Sequence, residues 1–140
     1  TAYAGIPLTH RGVAHSCEFI TGHLQEDGAL HLPWKSLANP KKTLVFYMGL
    51  GSLEEISSEL IQAGLAADTP AALIGNGTYA NQQVVRGTLA ELQNMADNAY
   101  LTPPTLTVVG KVVALFSEQQ ISHPALISHA TSEVEEALCV

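Results

Sequence analysis

Three short stretches hold residues whose types and spacing could do chemistry. The first is LVFYMGL, Leu44 to Leu50. An apolar run stops on Met48 and Gly49, and GSLEEISSELIQAG then reads as a helix. Glycines at 49 and 51 let a backbone come close to a ligand at a helix N-terminus, where amides are free. A methionine in a buried strand is ordinarily a gap-filler of the core. At the strand end, Met48 can instead face a ligand, and the residues alone leave both readings open. The second stretch is Gly75-Asn76-Gly77-Thr78, which follows another buried run. Both glycine turns should then lie at the carboxyl edge of one sheet, where ligands sit in open α/β sheets. Each taken alone also reads as an ordinary turn. The third is Thr9-His10-Arg11. The chain has two arginines, and Arg11 could pair bidentately with a carboxylate. A surface salt bridge is the plain alternative.

Other chemistries find little support. GLGSLE starts like a dinucleotide fingerprint, but Glu54 stands where the third glycine belongs. None of the six histidines forms an HxH, HxxxH or HExxH pair, so no metal site is expected. No GxSxG elbow occurs, and neither Cys17 nor Cys139 lies in a nucleophile or CxxC context. A disulfide framework is not expected, and a reducing, cytoplasmic setting follows by default. The net charge of −7 argues against non-specific nucleic-acid binding, which needs a basic face. No apolar run approaches the roughly 20 residues that span a bilayer, and TAYAGIPLTH lacks the regions of a signal peptide. The chain starts at Thr1 without an initiator Met, which fits a fragment or a processed product.

These residues must be positioned by a domain of ordinary size. The 140 residues are 46% hydrophobic and only 14% charged, which suits either a domain that packs against a partner or a low-charge monomer. Residues 16–24 alternate like a strand. QEDGALHLPW contains an Asp27-Gly28 hairpin signal, and WKSLANPKK gives a short helical turn ended by Asn39-Pro40. Residues 43–48 read as a buried strand. Residues 52–63 read as an amphipathic helix, with Ser52 as N-cap, Leu53, Ile56, Leu60 and Ile61 on its apolar face, and Gly64 closing it. Residues 70–74 and QQVVRGTL read as strands, residues 89–98 as a second amphipathic helix, and TPPTLTVVG as another buried strand. KVVALF continues as a strand or short helix. Strands alternating with helices predict an α/β fold: a mixed, mostly parallel sheet flanked by helices. Residues 1–116 are expected to form this domain. Residues 117–140 are expected to be a polar tail, partly disordered or loosely helical around Glu133 to Leu138.

YAGIPLTHRGVAHSCEFITGHL, PKKTLVFYMGL, DTPAALIGNGT, QQVVRGTL and PPTLTVVGKVV appear in this order. They resemble the C-terminal half of uroporphyrinogen-III C-methyltransferase, a tetrapyrrole methylase, as in the methyltransferase module of siroheme synthase. The resemblance covers residues 2–116. It implies transfer of methyl groups from S-adenosylmethionine to two ring carbons of uroporphyrinogen III, giving precorrin-2 for siroheme or cobalamin. It implies that Met48 and Gly77 touch S-adenosylmethionine and that Tyr47, Ala72, Pro104, Thr105 and Leu106 line the adenosine pocket. Arg11, with Thr9 and His10, would face the tetrapyrrole and its carboxylates. A homodimer is implied, with no metal. The family's first half supplies a Gly-Pro-Gly loop, a Gly-Gly-Asp cofactor loop and the residues proposed for proton removal. None of these motifs occurs in this chain, so an N-terminal half is the expected partner and the chain alone is expected to be inactive. Two competing readings remain: a non-catalytic folding and dimerisation module, and a methylase of a later corrin intermediate.

Overall fold

The computed structural model describes residues 1–24 and 28–115. The tail from residue 117, the Glu133–Leu138 helix and Asp27 of the expected hairpin lie outside the described residues. Five strands form one sheet: β1 (Ser16–Thr21), β2 (Lys42–Tyr47), β3 (Pro70–Gly75), β4 (Gln83–Thr88) and β5 (Thr105–Val109). Their spatial order is β1-β2-β5-β3-β4. Among the described residues three α-helices accompany them: α1 (Trp34–Leu37), α2 (Leu53–Gln62) and α3 (Leu92–Asn98).

The sheet is mixed, as expected, but it is not mostly parallel. Of the neighbouring pairs, β1–β2 is parallel, whereas β2–β5, β5–β3 and β3–β4 are antiparallel. Each helical crossover does join strands of the same direction. However, the α2 crossover from β2 to β3 skips a place that β5 fills, and the α3 crossover from β4 to β5 skips β3. Alternating strands and helices thus report strand direction correctly and adjacency wrongly.

Strand alternation divides the core between two faces. Leu44, Phe46, Leu73 and Val109 point to the helix face and pack with Leu37 of α1, Leu53, Ile56 and Leu60 of α2, and Leu92 and Met95 of α3. Val45, Ala72, Ile74 and Val108 point the other way, where Ala4, Ile6, Val112 and Val113 cover them. KVVAL supplies that cover as a 3-10 turn over Lys111–Leu115. The end of α2 forms as the sequence predicts. Gly64 takes φ 110, and the amides of Gly64 and Leu65 donate to the carbonyls of Ile61 and Leu60 at 3.0 Å each. Its start differs: Ser52 makes no side-chain cap bond. The first strand also ends at Thr21, three residues before the expected 24, because Gly22 turns against the β2 end.

Among the described residues no helix is long and apolar enough to cross a membrane. Nor do any three of their His, Cys, Asp and Glu side chains come together as a metal site.

Candidate functional site

The strand directions bring the carboxyl ends of β1, β2 and β3 to one edge, beside the amino ends of β4 and β5. A cleft of about 910 Å³ opens there, within the usual size of a small-molecule site. Met48 and Gly77 both line it, so the two glycine turns meet at one sheet edge. Tyr47, Pro104, Thr105 and Leu106 line it as well.

Met48 is not core filler. It is 65% exposed, and its backbone lies at φ 55. The left-handed region costs a residue with a Cβ roughly 1–2 kcal/mol. Asn76 (φ 49) and Thr78 (φ 76) carry the same signature in the second loop. Three non-glycine residues with positive φ at one rim point to a ligand site. The rim is also apolar and aromatic: Tyr3 and Tyr79 line it and are 72% and 66% exposed. Large apolar surface left open in a concave site suits a ligand with a flat, apolar portion.

Polar groups are few and ordered. Gln82 accepts from the Thr78 amide at 2.8 Å and donates to the Tyr3 carbonyl at 3.2 Å. It ties the Gly77 loop to the N-terminal segment. The Thr105 hydroxyl donates to the Thr102 carbonyl at 2.8 Å, and the Asn76 amide to the Pro104 carbonyl at 3.0 Å. No Asp, Glu, Lys or Arg lines the cleft among the described residues, and the imidazole there is His23. Sequence reading set His23 aside because its spacing to other histidines carries no metal signal. Its place two residues past β1, on the same edge as Met48, becomes apparent only from the β1–β2 register.

One expectation is corrected by position, and a second group of residues lies apart from the cleft. Ala72 is wholly buried in the middle of β3, packed with Val45 and Val108, and does not line the cleft. Thr9, His10 and Arg11 lie in or beside an exposed turn that precedes β1, where the His10 ring nitrogen Nδ1 donates to the Arg11 carbonyl at 2.9 Å. That turn adjoins Lys41 at the amino end of β2. Six residues of strand, about 20 Å, separate it from the cleft edge. The register makes this unavoidable, since β1 carries the chain from one end of the sheet to the other.

A family model of the Tetrapyrrole (Corrin/Porphyrin) Methylases matches residues 1–93. A siroheme synthase of Pseudomonas fluorescens (strain SBW25) is 57% identical over 114 residues, 81% of this chain and 24% of the relative. The native structure of a uroporphyrin III C-methyltransferase from Thermus thermophilus is similar at a TM-score of 0.68 and 30% identity, over 84% of this chain and 50% of that one. A structure of a Thermus thermophilus enzyme of the same description, complexed with S-adenyl homocysteine, is similar at a TM-score of 0.68 and 29% identity, over 86% and 51%. The chain thus spans about a quarter of the length of the curated relatives it matches and about half of these structures.

Proposed function

The chain belongs to the tetrapyrrole methylases, and from that premise we propose that it is the C-terminal half of an S-adenosylmethionine-dependent uroporphyrinogen-III C-methyltransferase. Its product would be precorrin-2, for siroheme or cobalamin. The observation that carries this reading is the cleft at the sheet edge, where Met48 and Gly77 stand together among apolar and aromatic walls.

The residues suit an adenosyl group. Exposed Tyr47, Met48 and Tyr79 offer apolar contact, and the loops around Gly49 and Gly77 bring backbone groups to the rim. Met48, Gly77, Tyr47, Thr105 and Leu106 hold the co-substrate in this reading. When bound, S-adenosylmethionine supplies a methyl group from its sulfonium to a ring carbon of the acceptor. Such a displacement asks the protein for alignment and exclusion of water, which these walls can give without a charged side chain. It asks for no metal. The groups that remove the proton belong to an N-terminal half, which closes the cleft from above. Arg11, with Thr9 and His10, meets the acceptor's carboxylates from a surface separate from the cofactor cleft. The working enzyme is a cytoplasmic homodimer, and this half alone is inactive.

The test is methylation of uroporphyrinogen III by the complete protein, read by product mass. A product with two added methyl groups supports the reading. Transfer only to a later corrin intermediate overturns the acceptor assignment. Titration of S-adenosylhomocysteine into the 140-residue chain tests the need for a second half. No heat is expected up to millimolar ligand, and saturable tight binding would overturn that need.

A further inference from the structure

Met48 holds an unfavourable backbone conformation while its side chain is mostly exposed, so its own packing cannot be what keeps it there. The loop that carries it runs from Tyr47, the last residue of β2, to Ser52, the residue before α2. Both ends of this loop grip the same residue, Gly22, just past β1. The Gly22 amide donates to the Tyr47 carbonyl at 2.7 Å. The Ser52 hydroxyl donates to the Gly22 carbonyl at 2.8 Å. Ser52 is buried at 5% exposure. A serine before a helix usually accepts from a first-turn amide, but here the hydroxyl is engaged across to β1 and makes no cap bond. The contact leaves no slack. A Cβ on Gly22 would lie 2.7 Å from the Gly49 Cα and 3.3 Å from the Tyr47 carbonyl oxygen. Met48, Leu50 and Gly51 on one side, and His23 on the other, line the cleft and share this anchor, whereas Ser52 itself does not line it.

We propose that Ser52 is a positioning residue: its hydroxyl clamps the Met48 loop to Gly22 and thereby sets the shape of the cofactor end of the cleft. This rests on the reading that the cleft receives S-adenosylmethionine, and adds a residue that never touches it.

The test compares Ser52→Ala, Ser52→Thr and Met48→Ala in the complete protein, well below the unfolding temperature. Binding of S-adenosylhomocysteine is measured by titration, and KM and kcat by methyl transfer. Ser52→Ala leaves the buried Gly22 carbonyl without its partner and is expected to raise the Kd and the cofactor KM about tenfold. The kcat at saturating cofactor is expected to stay within about twofold. Ser52→Thr keeps the hydroxyl and restores affinity. Unchanged Kd and KM in Ser52→Ala, with only a lower Tm, would overturn the clamp, because a merely structural serine behaves that way. Should Ser52→Ala not fold, Ser52→Cys, a weak donor at the same place, carries the same comparison. Met48→Ala separates the two claims. Wild-type affinity in Met48→Ala overturns the cofactor reading and the clamp with it. Weakened Met48→Ala beside an unchanged Ser52→Ala overturns the clamp alone.

Discussion

Replacing Met48 by glycine separates what the side chain does for the ligand from what the backbone costs the fold. The residue sits at φ 55, where glycine carries no Cβ penalty, so the substitution removes roughly 1–2 kcal/mol of strain. Glycine also loosens the unfolded chain, which takes back roughly 0.5–1 kcal/mol. Truncation opens no core cavity, because the side chain is 65% exposed. The net change in stability is therefore a gain of about 0–1.5 kcal/mol, or a Tm rise of up to about 6 °C. A buried methionine behaves otherwise: Met95, 8% exposed against the sheet, should lose about 2–5 kcal/mol on change to alanine. Ligand affinity moves in the opposite direction. If Met48 buries roughly 60–80 Å² of apolar surface against the co-substrate, its loss costs about 1.5–2 kcal/mol, a ten- to thirtyfold rise in Kd. Thermal unfolding by circular dichroism and titration with S-adenosylhomocysteine, both on the complete protein, read the two quantities separately. A Met48→Gly protein that melts several degrees lower and binds as tightly as wild type would refute the reasoning. Met48 would then be packing.

The Thr43 and Thr107 hydroxyls are fully buried with no hydrogen-bond partner among the described residues. Changing either to valine keeps the shape and is expected to raise stability by about 1 kcal/mol, read from the urea midpoint. Burial, and then the neighbouring Glu18 carboxylate, hold the Cys17 thiol above its ordinary 9.0. Alkylation of Cys17 near neutral pH, followed by peptide mass mapping, should be slower than that of a free thiol, and Glu18→Gln should partly restore the rate. The folded chain keeps this proton where the unfolded chain releases it, so the thiol's contribution to stability is intact below about 9 and falls as pH rises from there through the raised folded value. Arg11→Ala should raise the KM for the tetrapyrrole about tenfold and spare the cofactor KM. An unchanged tetrapyrrole KM removes Arg11 from the substrate surface.

Local patterns reported local structure well, because the physics that fixes a helix or a buried strand is itself local. Leu53, Ile56 and Leu60 are fully buried on α2, as their spacing requires. The Met48 and Gly77 turns meet because each ends a strand of the same direction, which crossovers dictate. What the sequence concealed depends on partners distant along the chain. No residue of β5 announces that it inserts between β2 and β3, since adjacency is settled by which buried strands fit side by side. The resemblance assigns Arg11 to the tetrapyrrole, and only the β1–β2 register shows that it stands at the opposite end of the sheet from the cofactor cleft. Ser52 shows the same limit at the scale of one hydroxyl. Its place before LEEISSELIQ reads as a cap, and only the arrival of Gly22, thirty residues earlier, turns that hydroxyl toward the loop that shapes the cleft. Residues whose roles depend on such non-local encounters are where a sequence reading and a structure part: Ser52 and Gly22 at the cleft's Met48 end, and Arg11 at the opposite end of the sheet.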